Sequence, residues 1–369
     1  MSAVQRQAVE VADEAVLCVA LCRGVVRASD GSGGGPDLGR NFVEPLLDGM
    51  VRLLRMHVAG TAAIVCEVLE FLKDVSEMHL PSMPPRRAIA LYEACGKALK
   101  IYADHHLGRR GSAEPTAEED AYQDISCVLQ LLGLLVVKDF VDFGDDTHAE
   151  SDQILQAAVP DVAFFGLSKV LPLMTEGLLQ FPALAEQYLS LVGFMVESFA
   201  DRLPGLEFEL FHQLVQSLLF GSQQSNSSSA RTSLKALGEV AASHTDSLRV
   251  GGPGLSVHLA RWPTLIVDCL APLLRMTVYE GFVWDRLDAA ADAVSALVAC
   301  GRGDFERLAA QIVAQQPSPE VAGRLAEAFR SLVGAGGEAV GRADRASRAR
   351  FQKNMREFVT SVRAFLLVT

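Results

Sequence analysis

The densest group of side chains that could bind a ligand through charge lies between residues 113 and 152. This stretch carries eleven carboxylates and a single cation, Lys138. The carboxylates are Glu114, Glu118, Glu119, Asp120, Asp124, Asp139, Asp142, Asp145, Asp146, Glu150 and Asp152. An acidic surface of this kind would steer a basic protein partner. The best candidates for it are Glu118, Glu119, Asp142, Asp145 and Asp146. The plainer alternative is a pair of solvated loops, with some acids favourably placed at a helix N-terminus.

Residue types that could do covalent or metal chemistry are present without the spacing that such chemistry needs. The Gly-rich stretch 31–35 lacks the Gly-Lys-Ser/Thr ending of a phosphate-binding loop. Neither a His-Glu-x-x-His helix nor a Gly-x-Ser-x-Gly elbow occurs. His105 and His106 are adjacent on a predicted loop and lack further ligands nearby, so a solvated loop is favoured over a metal site. We therefore expect no metal, no cofactor and no enzymatic activity, although a triad assembled in space stays open.

Composition narrows the classes of function. The chain has 369 residues, half of them hydrophobic, and a net charge of −12. Such acidity argues against a general nucleic-acid binder, which needs a basic surface. Seven scattered cysteines without a Cys-x-x-Cys pair predict a reduced, intracellular chain. Acidic residues precede the first apolar run, and the longest apolar segment is about half a membrane span, so we expect neither a signal peptide nor membrane insertion.

Apolar periodicity predicts helices throughout, and the clearest example is a helical hairpin at 161–199. Asp161 is a predicted N-cap. Apolar residues then recur at three- and four-residue steps, which indicates one buried face. They are Phe164, Leu167, Leu171, Met174 and Leu178. Pro182 ends this helix and starts the next, whose apolar stripe is Leu184, Tyr188, Leu191, Met195 and Phe199. Residues 144–160 are predicted to form a loop.

The helices recur as pairs, which predicts an all-α HEAT-repeat (armadillo-like) solenoid of stacked antiparallel helix pairs. The predicted first helices begin near residues 42, 86, 161, 207, 256 and 304, and most steps are about 44 to 49 residues. Pro45, Pro172 and Pro272 each fall inside a predicted first helix and should bend it. The segment 257–277 is predicted as one helix. A non-repeating helical bundle is the alternative fold.

The predicted organisation has three parts. Residues 1–28 form an N-terminal helix, residues 29–40 a Gly-rich linker, and residues 41–369 about six helix pairs plus a C-terminal helix. The last helix is basic on one side and apolar on the other. It is predicted to cap the stack with a solvated outer face, with membrane or nucleic-acid contact as the weaker alternative.

Several stretches resemble the C-terminal third of the exportin-4 family, nuclear transport receptors of the importin-β superfamily. They are LYEACGKALKIYADHHLGRR (91–110), TAEEDAYQDISCVLQLLGLLVVKDFVDF (116–143) and DVAFFGLSKVLPLMTEGLLQFPALAEQYLSLVGF (161–194). The tail is similar too, from SPEVAGRLAEAFRSL (318–332) to FQKNMREFVTSVRAFLLVT (351–369). The similarity keeps its order from about residue 42 to the end.

This resemblance implies a HEAT superhelix that binds protein cargo together with Ran-GTP and shuttles between nucleus and cytoplasm. Implied cargoes are translation factor 5A, whose hypusine side chain is cationic, and Smad proteins. Contact with nucleoporins is implied as well. Members of the family are much longer, and the repeats that carry their main Ran-binding surface have no counterpart here. We therefore expect the chain to correspond to the C-terminal arm of such a receptor. The rival expectations are a Ran-independent HEAT scaffold and an all-helical hydrolase.

Overall fold

Helices account for nearly all of the structure. The computed structural model describes residues 3–29, 42–58, 62–80, 83–109, 118–137, 149–175, 177–279, 284–334 and 345–366. Within these ranges the regular elements are α-helices, short 3₁₀ turns and one π turn, and there is no β-strand. The all-α prediction is therefore confirmed for the described residues. The predicted linker at 29–40 lies, apart from Ser29, outside them.

Two compact units divide the chain, Met1–Leu191 and Val192–Thr369. The helices of the first unit are α1 (Ala3–Ala28), α2 (Glu44–His57), α3 (Ala62–Met78), α4 (Pro85–Arg109), α5 (Glu118–Val137), α6 (Ala149–Val170) and the first part of α7 (Pro182–Ser198). Two 3₁₀ turns, Leu171–Leu173 and Leu178–Gln180, connect α6 to α7.

The helices of the first unit pack in two rows. In one row α1 packs on α3 and α3 packs on α5, while in the other α2 packs on α4 and α4 packs on α6. The rows meet where α2 contacts α3 and α5 contacts α6. The hydroxyl of Tyr92 on α4 donates to the Leu135 carbonyl on α5 at 2.8 Å, which also joins the rows. The apolar stripe of α3, including Val68, Phe71 and Leu72, is fully buried between them.

In the second unit the described residues form the end of α7 and eight further helices. These are α8 (Phe208–Ser222), α9 (Ser227–Arg249), α10 (Ser256–Arg261), α11 (Leu265–Tyr279), α12 (Leu287–Cys300), α13 (Arg302–Ala314), α14 (Pro319–Val333) and α15 (Arg345–Leu366), with 3₁₀ turns at Ala200–Gly205 and Trp284–Arg286. Sequential pairs α8–α9, α11–α12 and α13–α14 are in contact. One row runs α9–α12–α15, and α11 packs on α13.

Local sequence explains where several of these helices begin. The Asn226 side chain accepts hydrogen bonds from the backbone N–H groups of Ser228 and Ser229 and so caps α9. Ser318 caps α14 in the same way, and Pro319 occupies its first turn, where no N–H is needed. Pro182 begins α7 as predicted, and its stripe from Leu184 to Phe199 is buried.

The predicted start of the 161–199 hairpin is wrong. Helix α6 begins at Ala149, so Asp161 lies inside the helix and is not its N-cap, and much of the predicted 144–160 loop is helical. Pro160 is accommodated within α6 because one missing N–H removes only one hydrogen bond. The helix ends at Val170, since a residue before a proline is poorly suited to the α region. Leu171, Met174 and Leu178 therefore lie beyond the α-helix on which they were predicted.

Two other proline expectations are corrected. Pro45 lies in the first turn of α2 and Pro172 in the first turn of a 3₁₀ element, so neither bends a helix interior. Pro272 lies inside α11 as predicted. The predicted helix 257–277 is divided into α10 and α11, because Pro263 follows Trp262 and the chain leaves helical geometry there.

Candidate interaction surface

A polar network crosses the α1–α3–α5 row, and we call it the row network. Its members are Arg23, Arg27, Glu67, Glu70, Lys73, Asp74, Ser126, Gln130 and Gln187. The Arg23 guanidinium reaches three carboxylates on α3, at 2.7 Å for Glu67, 3.1 Å for Glu70 and 3.0 Å for Asp74. Arg27 binds both oxygens of Asp74, each at 2.9 Å. Two arginines one turn apart on α1 thus face three acids on successive turns of α3.

Asp74 is the most enclosed member of this network. It is 3% exposed, while Arg23 is 16% exposed. Burial alone would lower the pKa of Arg23, but its hydrogen bonds to Glu67 and Asp74 outweigh that effect and raise the pKa. Hydrogen bonds to Asp74 likewise raise the pKa of Arg27. The group is held as a charge-balanced cluster in which each ion has its counter-ion beside it.

The row network continues from α3 to α5 and α7. The Lys73 ammonium lies 2.5 Å from Glu70 and donates to the Gln130 side-chain carbonyl at 3.3 Å. Gln130 donates to Ser126, whose hydroxyl donates to the Gln187 side-chain carbonyl at 2.7 Å. Polar side chains therefore connect α1 to α3 and α3 to α5 within the row, and they connect α5 to α7 as well.

Two cysteines beside this network are unsuited to nucleophilic chemistry. Burial, followed by the nearby Asp124 carboxylate, raises the pKa of Cys66 to about 11. Burial also raises the pKa of Cys127, and Glu70 adds to that effect. Both thiols stay protonated near neutral pH, and only a thiolate attacks or binds a metal well. No cluster of three or more His, Cys, Asp or Glu side chains able to hold a metal is found among the described residues.

The second unit has a comparable set of ion pairs across α12 and α15. Arg348 lies 2.7 Å from Asp292, Gln352 donates to the same carboxylate at 3.0 Å, and Arg356 lies 2.6 Å from Asp288. The apolar side of α15 is buried, with Phe351 and Met355 almost inaccessible to water. Arg348 and Arg356, on the basic face predicted to be solvated, thus pair with α12 while more than half of each side chain stays exposed.

The predicted acidic surface is only partly covered by the structure. Asp142, Asp145 and Asp146 lie outside the described residues. Glu118 and Glu119 begin α5, and the placement of their side chains is outside the description. Asp124, from the same acidic stretch, is 6% exposed and belongs to the interior beside Cys66. The cargo role of the five predicted residues stays a prediction.

Ser29 and His79 bring a hydroxyl and an imidazole close together. The Ser29 hydroxyl lies 3.2 Å from His79 Nε2, but it donates to the Val26 carbonyl at 2.8 Å. The hydroxyl proton therefore points away from the imidazole, and the ring nitrogen must donate to the serine oxygen. These contacts link the end of α1 to the end of α3. A general base would instead have to accept the hydroxyl proton of Ser29.

The prediction that His105 and His106 occupy a loop is wrong, since α4 continues through Arg109. Sequence analysis also missed the row network. Its signal was present as Arg23 and Arg27 four residues apart, with Glu67, Glu70 and Asp74 at three- and four-residue steps. Nothing in the sequence states that these two helices face one another.

An apolar stripe on α1 remains exposed to solvent. Leu17, Leu21 and Val25 are 61%, 63% and 41% exposed. At about 3.6 residues per turn they lie roughly opposite the buried Val19 and Val26. A further helix packed on α1 could cover this stripe. The exposed side of α15, the last helix, is polar by contrast.

Comparison with models of known protein families finds no match for this chain. Among the described residues, no helix combines the length and apolar character needed to cross a membrane.

Proposed function

We propose that this chain is the C-terminal arm of an exportin-4-like nuclear transport receptor, built as a HEAT solenoid. The similarity of the stretches 91–110, 116–143, 161–194 and 318–369 supports the family. The observation that carries the architecture is the packing of helices in rows, α1 on α3 on α5 and α2 on α4 on α6. Row packing of alternate helices is what stacked helix pairs produce, because each pair covers the apolar side of the next.

In this proposal the second helices of the pairs bind cargo, and such helices lie in the α1–α3–α5 row of the first unit and in the α9–α12–α15 row of the second. Their ion pairs, such as Arg23 with Asp74 and Arg348 with Asp292, join neighbouring helices within a row. A cargo recognised by shape and charge would bind across several helices, and Ran-GTP would bias the curvature that fits it. The expected cargoes are translation factor 5A-like or Smad-like proteins, and nucleoporins are expected transport partners. Nucleic acid and membrane are not expected ligands, and the receptor would shuttle between nucleus and cytoplasm.

A pull-down with Ran tests this function. The full-length parent receptor is immobilised and offered translation factor 5A with Ran-GTP, with Ran-GDP, or without Ran. Cargo retention that rises at least about tenfold with Ran-GTP supports transport, since the coupling of two ligands is a measurable ratio of affinities. Cargo binding that is equal in the three conditions supports the alternative, a Ran-independent HEAT scaffold. Absence of cargo binding in all three would reject both.

The predicted acidic surface has its own test. Reversal of Glu118, Glu119, Asp142, Asp145 and Asp146 to Lys should slow association of a basic cargo and weaken its dependence on salt, because charge steering acts on the association rate. Stopped-flow association at low and high salt measures both effects.

The matched control for this charge reversal changes five exposed acids elsewhere by the same total charge. Suitable residues are Asp48, Glu93, Glu306, Glu320 and Glu327. An equal effect in test and control would mean that only net charge matters, and unchanged association rates in the test variant would leave the solvated-loop interpretation.

A further inference from the structure

Two buried histidines hold one surface segment of the second unit, residues 250–262, which contains the turn after α9 and helix α10. The segment begins with a glycine-rich turn in which Gly251 and Gly254 have φ of 78° and 47°, values that favour glycine. The backbone N–H of Gly252 donates to the Ser247 carbonyl at 2.8 Å, and that of Gly254 donates to the Ser247 hydroxyl at 2.9 Å. These bonds fix the turn on the end of α9.

His244, on α9, holds the middle of this segment. Its Nδ1 accepts a hydrogen bond from the backbone N–H of Leu255 at 3.0 Å. The ring is 6% exposed, and Leu255 is 2% exposed. A nitrogen that accepts an N–H bond carries no proton of its own, so this contact requires a neutral imidazole. Protonation of Nδ1 would set two donors against each other and break the bond.

His258, on α10, fixes the other end of the segment. It is 1% exposed and stacks on the Phe211 ring of α8, with centroids 4.0 Å apart and planes within 8°. Its Nε2 lies 3.0 Å from the Leu203 carbonyl, which can only accept, so Nε2 carries the proton. Nδ1 is buried and has no hydrogen-bond partner within the described part of the chain. A second proton would therefore place an unsatisfied donor and a charge inside an apolar contact.

The charged groups around the two rings offer little compensation for such a charge. Near His258 they are Arg261 on its own helix, Glu209 and His212 on α8, and Asp201 and Arg202 on the neighbouring 3₁₀ turn. Arg261 lies 3.6 Å from Glu209 and Arg202 lies 3.8 Å from Asp201, so both acids already have cations beside them.

Near His244 the charged neighbour on α9 is Asp246, which pairs with Arg249 at 2.8 Å. The α8 helix packed on α9 carries Glu209 and His212, and α12 carries Asp288 and Asp292, whose partners are on α15. The turn from Val250 to Leu255 has no charged side chain.

We propose that residues 250–262 form a pH-sensitive latch, docked on α8 and α9 while His244 and His258 are neutral and released when both are protonated. The proposal rests on two observations: the bond from the Leu255 N–H to His244 needs an unprotonated Nδ1, and the buried Nδ1 of His258 has no acceptor for a second proton among the described residues. The Leu203 carbonyl favours a protonated His258, but burial outweighs that effect. Burial also lowers the pKa of both histidines from the usual 6.5. The released segment binds protons more readily than the docked one, so docking is strongest above pH 6.5 and weakens as the pH falls below it.

Release would change the surface in a defined way. Val250 and Val257 are already 86% and 62% exposed on the docked segment, whereas Leu255 and Trp262 are buried beneath it. Undocking would add the buried pair, together with Phe211, to that apolar patch. The latch does not depend on the transport proposal, because it involves only groups within the second unit.

Hydrogen exchange on the full chain tests the latch. Amide exchange of peptides covering 250–262 is measured by mass spectrometry at about pH 7.5 and about pH 5.5 and corrected for the intrinsic rate. Each imidazole that titrates only when released increases the opening equilibrium by up to about tenfold over this range, and two increase it by up to about 100-fold. Peptides from α14 serve as the internal reference.

Isosteric variants show whether the histidines cause the change. In His244→Asn the amide oxygen replaces the accepting Nδ1, and in His258→Gln the amide N–H replaces the donating Nε2, so neither side chain titrates. The double variant should keep the segment protected at both pH values. His57→Gln, which removes a histidine at the end of α2 in the first unit, should behave as the wild type.

The result expected is release of 250–262 in the wild type at low pH and its absence in the double variant. Wild-type exchange that changes less than about twofold between the two pH values overturns the latch, as does an equal increase in the double variant. If the double variant does not fold, the single variants His244→Asn and His258→Gln are each measured, and each must reduce the pH effect.

Discussion

Asp74 illustrates how a charge is tolerated in the interior of the first unit. Its carboxylate is almost excluded from water and is bound by Arg23 and Arg27 at 2.9 to 3.0 Å. Desolvating an ion costs several kcal/mol, and only close counter-ions with good hydrogen-bond geometry compensate for it. Arg23 in turn reaches Glu67 and Glu70, so the loss of one group would leave several others uncompensated.

Asp74→Asn should therefore be strongly destabilising. The variant leaves Arg23 partly buried without its enclosed counter-ion, and we expect the free energy of unfolding to fall by about 2 to 4 kcal/mol. Glu77→Gln, an exposed change on the same helix, is the control and should alter stability by less than about 0.5 kcal/mol. Urea unfolding followed by circular dichroism measures both. Equal midpoints for the two variants would mean that the ion cluster does not stabilise the fold.

At the scale of the element, the contact between α9 and α12 depends on a glycine. A Cβ added at Gly238 would lie 3.3 Å from the Ala293 Cα and 3.5 Å from its nitrogen, so the two backbones approach closely. Ala289 and Ala293, one turn apart on α12, are small and buried, and Ala293 lies at this approach. Small residues thus determine how near the two helices of the row can pack.

Gly238→Val should push α9 and α12 apart. We expect a loss of about 1 to 3 kcal/mol in the free energy of unfolding, because the neighbouring atoms are backbone and cannot rotate away. The matched change Gly323→Ala lies on an exposed side of α14, where a Cβ meets no atom within 4 Å. It should raise stability by up to about 1 kcal/mol, the usual gain from replacing a helical glycine. Thermal unfolding of both variants measures these changes in stability. A Gly238→Val variant as stable as the wild type would show that α9 and α12 can adjust to the added side chain.

At the scale of the whole molecule, the proposed solenoid makes a prediction that a globular bundle does not. In stacked repeats each layer contacts only its neighbours, so the effect of a core mutation stays near its site. In a single cooperative bundle, a core mutation would lower the stability of all the helices together, because they share one core.

Two core truncations test this locality. Leu72 on α3 and Leu332 on α14 are both fully buried. Leu72→Ala and Leu332→Ala should each cost about 2 to 5 kcal/mol locally. Hydrogen exchange should show protection falling around α3 in the first variant and around α14 in the second, each serving as the control for the other. Uniform loss of protection across the chain in either variant would contradict the repeat architecture.

The sequence by itself determined the helical class, most helix positions and the buried stripe of helices such as α7. These follow from local periodicity and capping, as at Asn226, Pro182 and Pro319, where the deciding residues are at most a few positions away. Only the tertiary structure decided that α6 continues through Pro160, that Arg23 meets Asp74 and that His244 and His258 hold one segment. Such contacts join residues far apart in the chain, and their energy depends on burial, which no single stretch of sequence records.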